Sequence, residues 1–276
     1  MRLLARDSRT HYNNIASAVG ITPSAAKKRI SKMTSNGVIR SFAVVINPVI
    51  FGYEKECLLI VKKIGKTINE QDIFKKISLL GDVFLNLKQL EQAASLFVLF
   101  VRKGAEDKIG ILTDLIKPAE VESIFGRLKP VKGMIHSSDL EIMKCLLSSP
   151  QMLVEDIAKE TSLSRKTVAR RLEKMRENHV LQFTISTDVS SMQITGFIEF
   201  VVLIRVHPAY HQNIVQRIYN EMQEYILRPL DELVQYPINY AISYPMEIVV
   251  ASFCCANIPT VNLILRRLES YDGSKK

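Results

Sequence analysis

The chain has 276 residues, suited to about two domains, and its 47% hydrophobic and 24% charged residues exclude a disordered or low-complexity polypeptide. Lys and Arg number 37 against 28 Asp and Glu, and the net charge of +9 permits nucleic acid, an anionic membrane surface or an acidic partner without choosing among them. The longest apolar stretches, 197–206 and 96–101, fall far short of the roughly 20 residues that span a bilayer, and residues 1–7 lack the apolar centre of a signal peptide, so a soluble cytoplasmic protein without membrane contact is expected.

In chain order, residues 13–19 form a short helix with Ile15, Ala16 and Val19 on one face. Gly20 can end it in the left-handed region. Thr22-Pro23 starts the next helix, with Thr22 as N-cap and Pro23 at the first helical position. Ala26, Ile30 and Met33 make its buried stripe, Gly37 stops it, and residues 38–46 run as a strand. Helix, turn, helix, strand is the layout of a winged helix-turn-helix. The body that follows has strand 57–63, helix 69–80, a hairpin of 83–87 and 96–102 around residues 91–94, helix 106–117 and strand 120–126, in the ferredoxin-like order βαββαβ.

The pattern then returns. Shifted by 142, Ile15-Ala16 falls on Ile157-Ala158, Arg29 on Arg171, Lys32-Met33 on Lys174-Met175, Asn36 on Asn178 and Val38 on Val180. Residues 154–161 and 165–178 are the second head's helices, with Ser164 as N-cap and Val168, Leu172 and Met175 as the stripe. The second body gives strand 197–206, helix 210–222, a hairpin of 240–242 with 249–251, and helix 259–269, but no closing strand; residues 224–237 have no counterpart. The expected fold is therefore α+β in two tandem copies. Its modules are a winged helix-turn-helix (1–46), a ferredoxin-like effector or dimerisation domain (47–135), a second winged helix-turn-helix (136–186) and a second ferredoxin-like domain lacking its last strand (187–276). The equivalents of 138–142 are absent from copy one: either its first helix is short or the start lies upstream.

Ile15-Ala16, 19–25, 29–33 and 37–40 resemble the DNA-binding domain of Lrp/AsnC regulators, and Asn47-Pro48 with Phe51-Gly52 resembles that family's hinge and entry to its βαββαβ domain. The resemblance implies a prokaryotic transcription factor whose bodies dimerise through sheet packing and often bind amino acids between subunits. Gly81-Asp82 resembles the family's effector signature in copy one, with a plain turn into a strand as the alternative; nothing around 234–236 does so in copy two.

Residues 1–42 hold eight basic residues and one acid, whereas residues 184–276 hold seven basic and nine acidic. A phosphate-binding surface needs that excess on a head. With Ala26, Ile30 and Met33 inward, Ser24, Lys28, Ser31 and Lys32 face outward and Lys27 flanks them, an acid-free face suited to a major groove. Copy two offers Arg165, Lys166, Arg170 and Lys174, but Glu173 and Glu177 share its face, either opposing DNA or pairing with Arg170 and Lys174. The helix start at Thr22 also suits a phosphate. Arg29 and Arg171 flank the stripes, where local pairing is the better expectation than phosphate.

The four cysteines (57, 145, 254 and 255) show no metal-ligand spacing and read as buried thiols, and Pro208 interrupts the His207/His211 pair. No cofactor, metal or catalytic group is expected. The leading expectation is a regulator of double-stranded DNA, either a homo-oligomer or an intramolecular pseudo-dimer, with scope for a small-molecule effector. Sirohaem decarboxylases resemble the same layout and give an enzymatic alternative resting on His207 and His211. A non-specific architectural DNA-binding protein is the third.

Overall fold

The computed structural model describes residues 2–62, 69–88, 94–187, 198–226, 242–243, 245, 247–271 and 274–275. Two compact units emerge: Met1–Asn47, Val131–Tyr240 and Met246–Lys276 form one, and Pro48–Pro130 with Ala241–Pro245 the other.

In the first unit, α1 (Arg2–Arg6), α2 (Tyr12–Val19), α3 (Pro23–Ser35) and β1 (Ile39–Ile46) make head one. α6 (Ser137–Ser148), α7 (Val154–Thr161), α8 (Arg165–Glu177) and β6 (Leu181–Thr187) make head two. The repeat extends to the backbone. Gly20 and Ser162 both end their helices in the left-handed region, at φ 69° and 54°. One helix later in each head, Gly37 and His179 take the same region at 75° and 59°. That region costs an L-residue energy, so the two non-glycine positions keep a turn geometry rather than a residue type. α1 has five described residues and α6 has twelve.

β1 and β6 pair antiparallel into a two-stranded ribbon. Its register is self-complementary: Phe42 faces Ile185, the counterpart of Ala43, and Ala43 faces Thr184, the counterpart of Phe42. A two-fold-like interface built from one surface used twice has this property. The ribbon buries Ile39, Phe183 and Ile185 against the heads, where Leu4, Ile15, Ala16, Ala26 and Ile30 complete head one's core.

The same unit holds body two: β7 (Ile198–Val206), α9 (His211–Met222), β9 (Ile248–Cys255), α10 (Ile258–Glu269) and β10 (Ser274–Lys275). Its sheet runs β10-β7-β9. The closing strand expected to be missing is present as this two-residue remnant: Ser274 pairs with Val206 and Lys275 with Arg205. Ile214, Ile218 and Met222 of α9 and Val261, Ile264 and Leu268 of α10, at helical spacing, pack on Val249, Ala251 and Phe253 of the sheet.

The second unit is body one: β2 (Lys55–Lys62), α4 (Glu70–Ile77), β3 (Asp82–Lys88), β4 (Ala94–Val101), α5 (Ile109–Leu115) and β5 (Glu120–Leu128). Its strands run β3-β4-β2-β5, all antiparallel, and the apolar run of β4 reflects a strand buried on both faces. One expectation is corrected. Residues Ile242–Ser243 (β8) do not form a hairpin with β9 but pair with Leu128 and Arg127, adding a fifth strand beside β5. An exposed sheet edge accepts any extended segment that reaches it. The turn expected at 91–93, residues 227–241 and Phe197 lie outside the described residues.

All four cysteines are free, with Cys57 and Cys255 buried and Cys145 and Cys254 partly so. Burial, with smaller effects from Glu56 and Glu106, pushes the Cys57 thiol up to about 12. Among the described residues no group of three or more His, Cys, Asp or Glu is placed to hold a metal, and no helix is long and apolar enough to cross a membrane.

Candidate nucleic-acid interface

In α3, the Thr22 Oγ1 accepts a hydrogen bond from the Ala25 N–H at 3.2 Å, as the cap reading requires. Ala26 and Ile30 are buried and Met33 partly so. The opposite face presents Ser24, Lys27, Lys28, Ser31 and Lys32, all exposed. No acid lies on this helix, and among the described residues none of its three lysines has an ion-pair partner. These cations are therefore available to phosphate without first breaking a contact.

α8 repeats the geometry with a different charge state. Ser164 Oγ accepts from the Thr167 N–H at 3.1 Å, and Val168, Leu172 and Met175 are buried. Arg165, Lys166, Arg170 and Lys174 are exposed. Arg165 lies 3.7 Å from Glu155, and Glu173 pairs at 3.7 Å with Arg176 rather than with Arg170 or Lys174. Such exposed pairs contribute little stability, but they place acids beside the basic face.

The two arginines flanking the stripes part company. Arg171 donates to Asp139 Oδ1 at 3.0 Å, with the carboxylate side chain only 8% exposed. The other oxygen, Oδ2, accepts from the His136 N–H at 2.9 Å, closing a capping box on α6. Among the described residues no carboxylate pairs with Arg29. It is exposed on the rim of a cavity.

Three residues that sequence reasoning passed over tie the heads together. The Arg9 guanidinium donates to the carbonyls of Pro150 (3.1 and 3.0 Å) and Met152 (2.6 Å) and lies 4.4 Å from the Phe183 ring centroid. Arg176 pairs with Asp7 at 2.7 Å. Gln151, the counterpart of Arg9, returns the contact by donating to Ser8, the counterpart of Pro150, at 3.4 Å to its carbonyl and 3.3 Å to its hydroxyl. The available signal was the basic surplus just ahead of the first helix pair, where Arg9 stands opposite a neutral Gln151 in the repeat.

Gly81 and Asp82 stand at the entry to β3, in the other compact unit. A Cβ at Gly81 would lie 2.3 Å from the Phe100 carbonyl oxygen, so glycine is required by the close approach of β4. Asp82 accepts a hydrogen bond from the Tyr53 hydroxyl. His207 accepts from the Ala209 N–H at 3.3 Å and meets the Tyr210 ring at 5.9 Å, a turn-capping job.

Against known proteins, a winged helix-turn-helix DNA-binding family matches residues 1–40 and 135–182, covering both heads. An uncharacterized HTH-type transcriptional regulator of Pyrococcus horikoshii is 30% identical over 107 residues, covering 33% of this chain and 68% of that protein. The regulatory protein AsnC of Haemophilus influenzae is 30% identical over 84 residues, covering 30% of this chain and 55% of that one. Among solved structures, the crystal structure of the siroheme decarboxylase NirDL aligns with 99% of this chain and 86% of its own at a TM-score of 0.53 and 14% identity, a likeness of fold across both copies.

Proposed function

Because the chain belongs to the Lrp/AsnC family of winged helix-turn-helix transcriptional regulators, and so is itself a DNA-binding regulator, we propose that it reads duplex DNA with its two heads used together and unequally. In this reading α3 enters a major groove, with Lys28 and Lys32 reaching guanine edges or phosphate, Ser24 and Ser31 contacting base or backbone, and Lys27 on the flanking phosphates. The N-terminus of α3, capped by Thr22, sits against a phosphate. Arg165, Lys166, Arg170 and Lys174 of α8 contribute weaker phosphate contacts, since acids lie among them. The modules are bounded near residues 46, 135 and 186. One chain supplies an intramolecular pseudo-dimer of heads, facing a duplex whose half-sites are related by an approximate two-fold, and the bodies serve for further assembly in the cytoplasm. An effector at Gly81 and Asp82 would have to displace the Tyr53 hydroxyl from Asp82.

The observation that carries this reading is the acid-free, unpaired basic face of α3 on a head tied to a second head. Fluorescence anisotropy with a duplex at rising salt tests it. With about six phosphate contacts, affinity falls by roughly a thousandfold or more between 50 and 200 mM salt. Lys28→Glu loses more affinity than Arg170→Glu. No duplex binding at low salt overturns the reading, and equal losses overturn the ranking of the heads. Selection from random DNA yields an enriched motif; a pool without one points to an architectural protein.

The full-length fold likeness to a siroheme decarboxylase supports a second, enzymatic reading. Against it, His207 is engaged in a turn, and no histidine lies in the described strands or helices of body one. Mixing the protein with sirohaem and following the Soret band decides it: an unchanged spectrum removes the enzymatic reading.

A further inference from the structure

The two heads do not hold each other equally. Head two grips the stretch where α1 ends and the chain runs on to α2. The Thr184 hydroxyl donates to the Ala5 carbonyl at 2.8 Å, and the Ser8 N–H donates to the Phe183 carbonyl at 3.3 Å. Arg176 of α8 pairs with Asp7, and Arg9 reaches the Pro150 and Met152 carbonyls between α6 and α7. The repeat shows that these contacts run one way. Asp7 and Arg176 have Ser149 and Thr34 at the matching positions, and the Thr34 hydroxyl donates to the Ile30 carbonyl of its own helix at 3.1 Å. Ser8 is matched by Pro150, which has no N–H to donate, and Thr184 by Phe42, which has no hydroxyl. Arg9 is matched by the neutral Gln151. Two of the contacts lie off the β1–β6 ribbon: Arg176 stands on α8 itself, and Arg9 stands just ahead of α2.

We propose that this one-sided clamp, with Arg9 at its centre, sets the separation and angle at which α3 and α8 are presented, and so selects the distance between two half-sites on a duplex. Arg9 is a positioning residue in this account, acting through the carbonyls of the other head. The proposal rests on the reading of the two heads as DNA readers. Two-stranded ribbons twist more than wider sheets, so β1 and β6 join the heads without fixing the angle between them. Contacts away from the ribbon fix it. Moving a half-site by one base pair shifts it about 3.4 Å along the duplex and turns it about 35° around the axis. Heads free to follow that movement read every spacing alike, whereas clamped heads read one. The guanidinium suits the task because its planar fork meets two carbonyls at once and holds a direction as well as a distance. Because the clamp is one-sided, no second copy of it across the ribbon compensates for a defect in either partner.

Selection from random DNA with the full chain supplies a two-part site, and anisotropy is then read on duplexes whose halves are moved one or two base pairs closer or apart. The wild type loses about tenfold in affinity for each base pair of displacement, as for a mismatched base pair in a specific site. Arg9→Gln, which puts there the side chain that the repeat holds at 151, reduces each step to about twofold, because a freed ribbon follows the shift. It leaves affinity for a duplex with a single half-site at the wild-type value, which a merely weakened head does not. Arg9→Lys recovers part of the spacing preference. Asp7→Asn, a milder change at the other point of the clamp, flattens the series in the same way and serves where Arg9→Gln folds poorly by circular dichroism. Lys28→Glu, by contrast, lowers affinity at every spacing and keeps the profile. The wild-type profile retained in Arg9→Gln and Asp7→Asn overturns the proposal. So does a loss of single half-site affinity in folded Arg9→Gln, a flat profile in the wild type, or a pool without a two-part motif. Duplex binding with an unchanged variant profile leaves the reading of the heads standing, whereas absence of any duplex binding by the wild type removes both.

Discussion

Arg29 and Arg171 occupy one position of the repeat and have opposite circumstances. The Arg171–Asp139 pair is close to buried, with side chains 21% and 8% exposed, and removing one partner from such a pair strands the other charge. Asp139→Ala is therefore expected to lower stability by about 3 kcal/mol, whereas Arg29→Gln stays within about 0.5 kcal/mol, as for a surface change. Urea denaturation followed by circular dichroism checks both, and equal costs would mean that the pair does not hold head two. The spacing showed both arginines beside the buried stripes and pointed to local pairing. It did not separate them, since the carboxylate stands 32 residues from Arg171 and only folding brings it there. The caps were legible because their rule is local: Thr22 and Ser164 each bond an N–H three residues on. Gly81 was noticed for an effector role, yet its requirement is the Phe100 carbonyl, a neighbour invisible without strand pairing.

At the scale of elements, helices followed from apolar periodicity, and body one's strand order followed from its βαββαβ succession. What escaped were pairings settled by three-dimensional proximity. β8 was expected against β9, its neighbour in sequence, and instead joins β5, whose edge was free. A two-residue strand such as β10 carries too little alternation to be recognised. The junction of the heads escaped for the same reason, although its central residue is one arginine. Arg9 meets two carbonyls and an aromatic face, and burial lowers its pKa below the usual guanidinium range without removing its charge. Arg9→Ala is expected to cost about 2 kcal/mol, from lost charged hydrogen bonds and ring contact. Arg9→Lys recovers only part of it, because an ammonium lacks the planar fork that spans Pro150 and Met152. Thermal unfolding of the three proteins checks the order, and full recovery in Arg9→Lys would reduce the contact to charge alone.

For the whole molecule, the duplication, the two heads and the uneven charge were legible from one sequence laid against itself. How the copies meet was not: sheet packing of the bodies was one expectation, and the observed meeting of the heads is the β1–β6 ribbon. Sedimentation of the chain with a labelled duplex is expected to give one chain per duplex as the smallest complex; two chains as the smallest complex would mean that a single pair of heads does not suffice. The ribbon has a further consequence, for scarcity. Two heads on separate polypeptides part company on dilution, and their grip on DNA weakens twice over, once for the pair and once for the site. Here both ends of the ribbon belong to one chain, so each head holds the other at an effective concentration that no dilution changes. A cell with few copies keeps every reader whole. Freed from being identical, the two heads can also drift separately, each toward its own half of an unsymmetrical address.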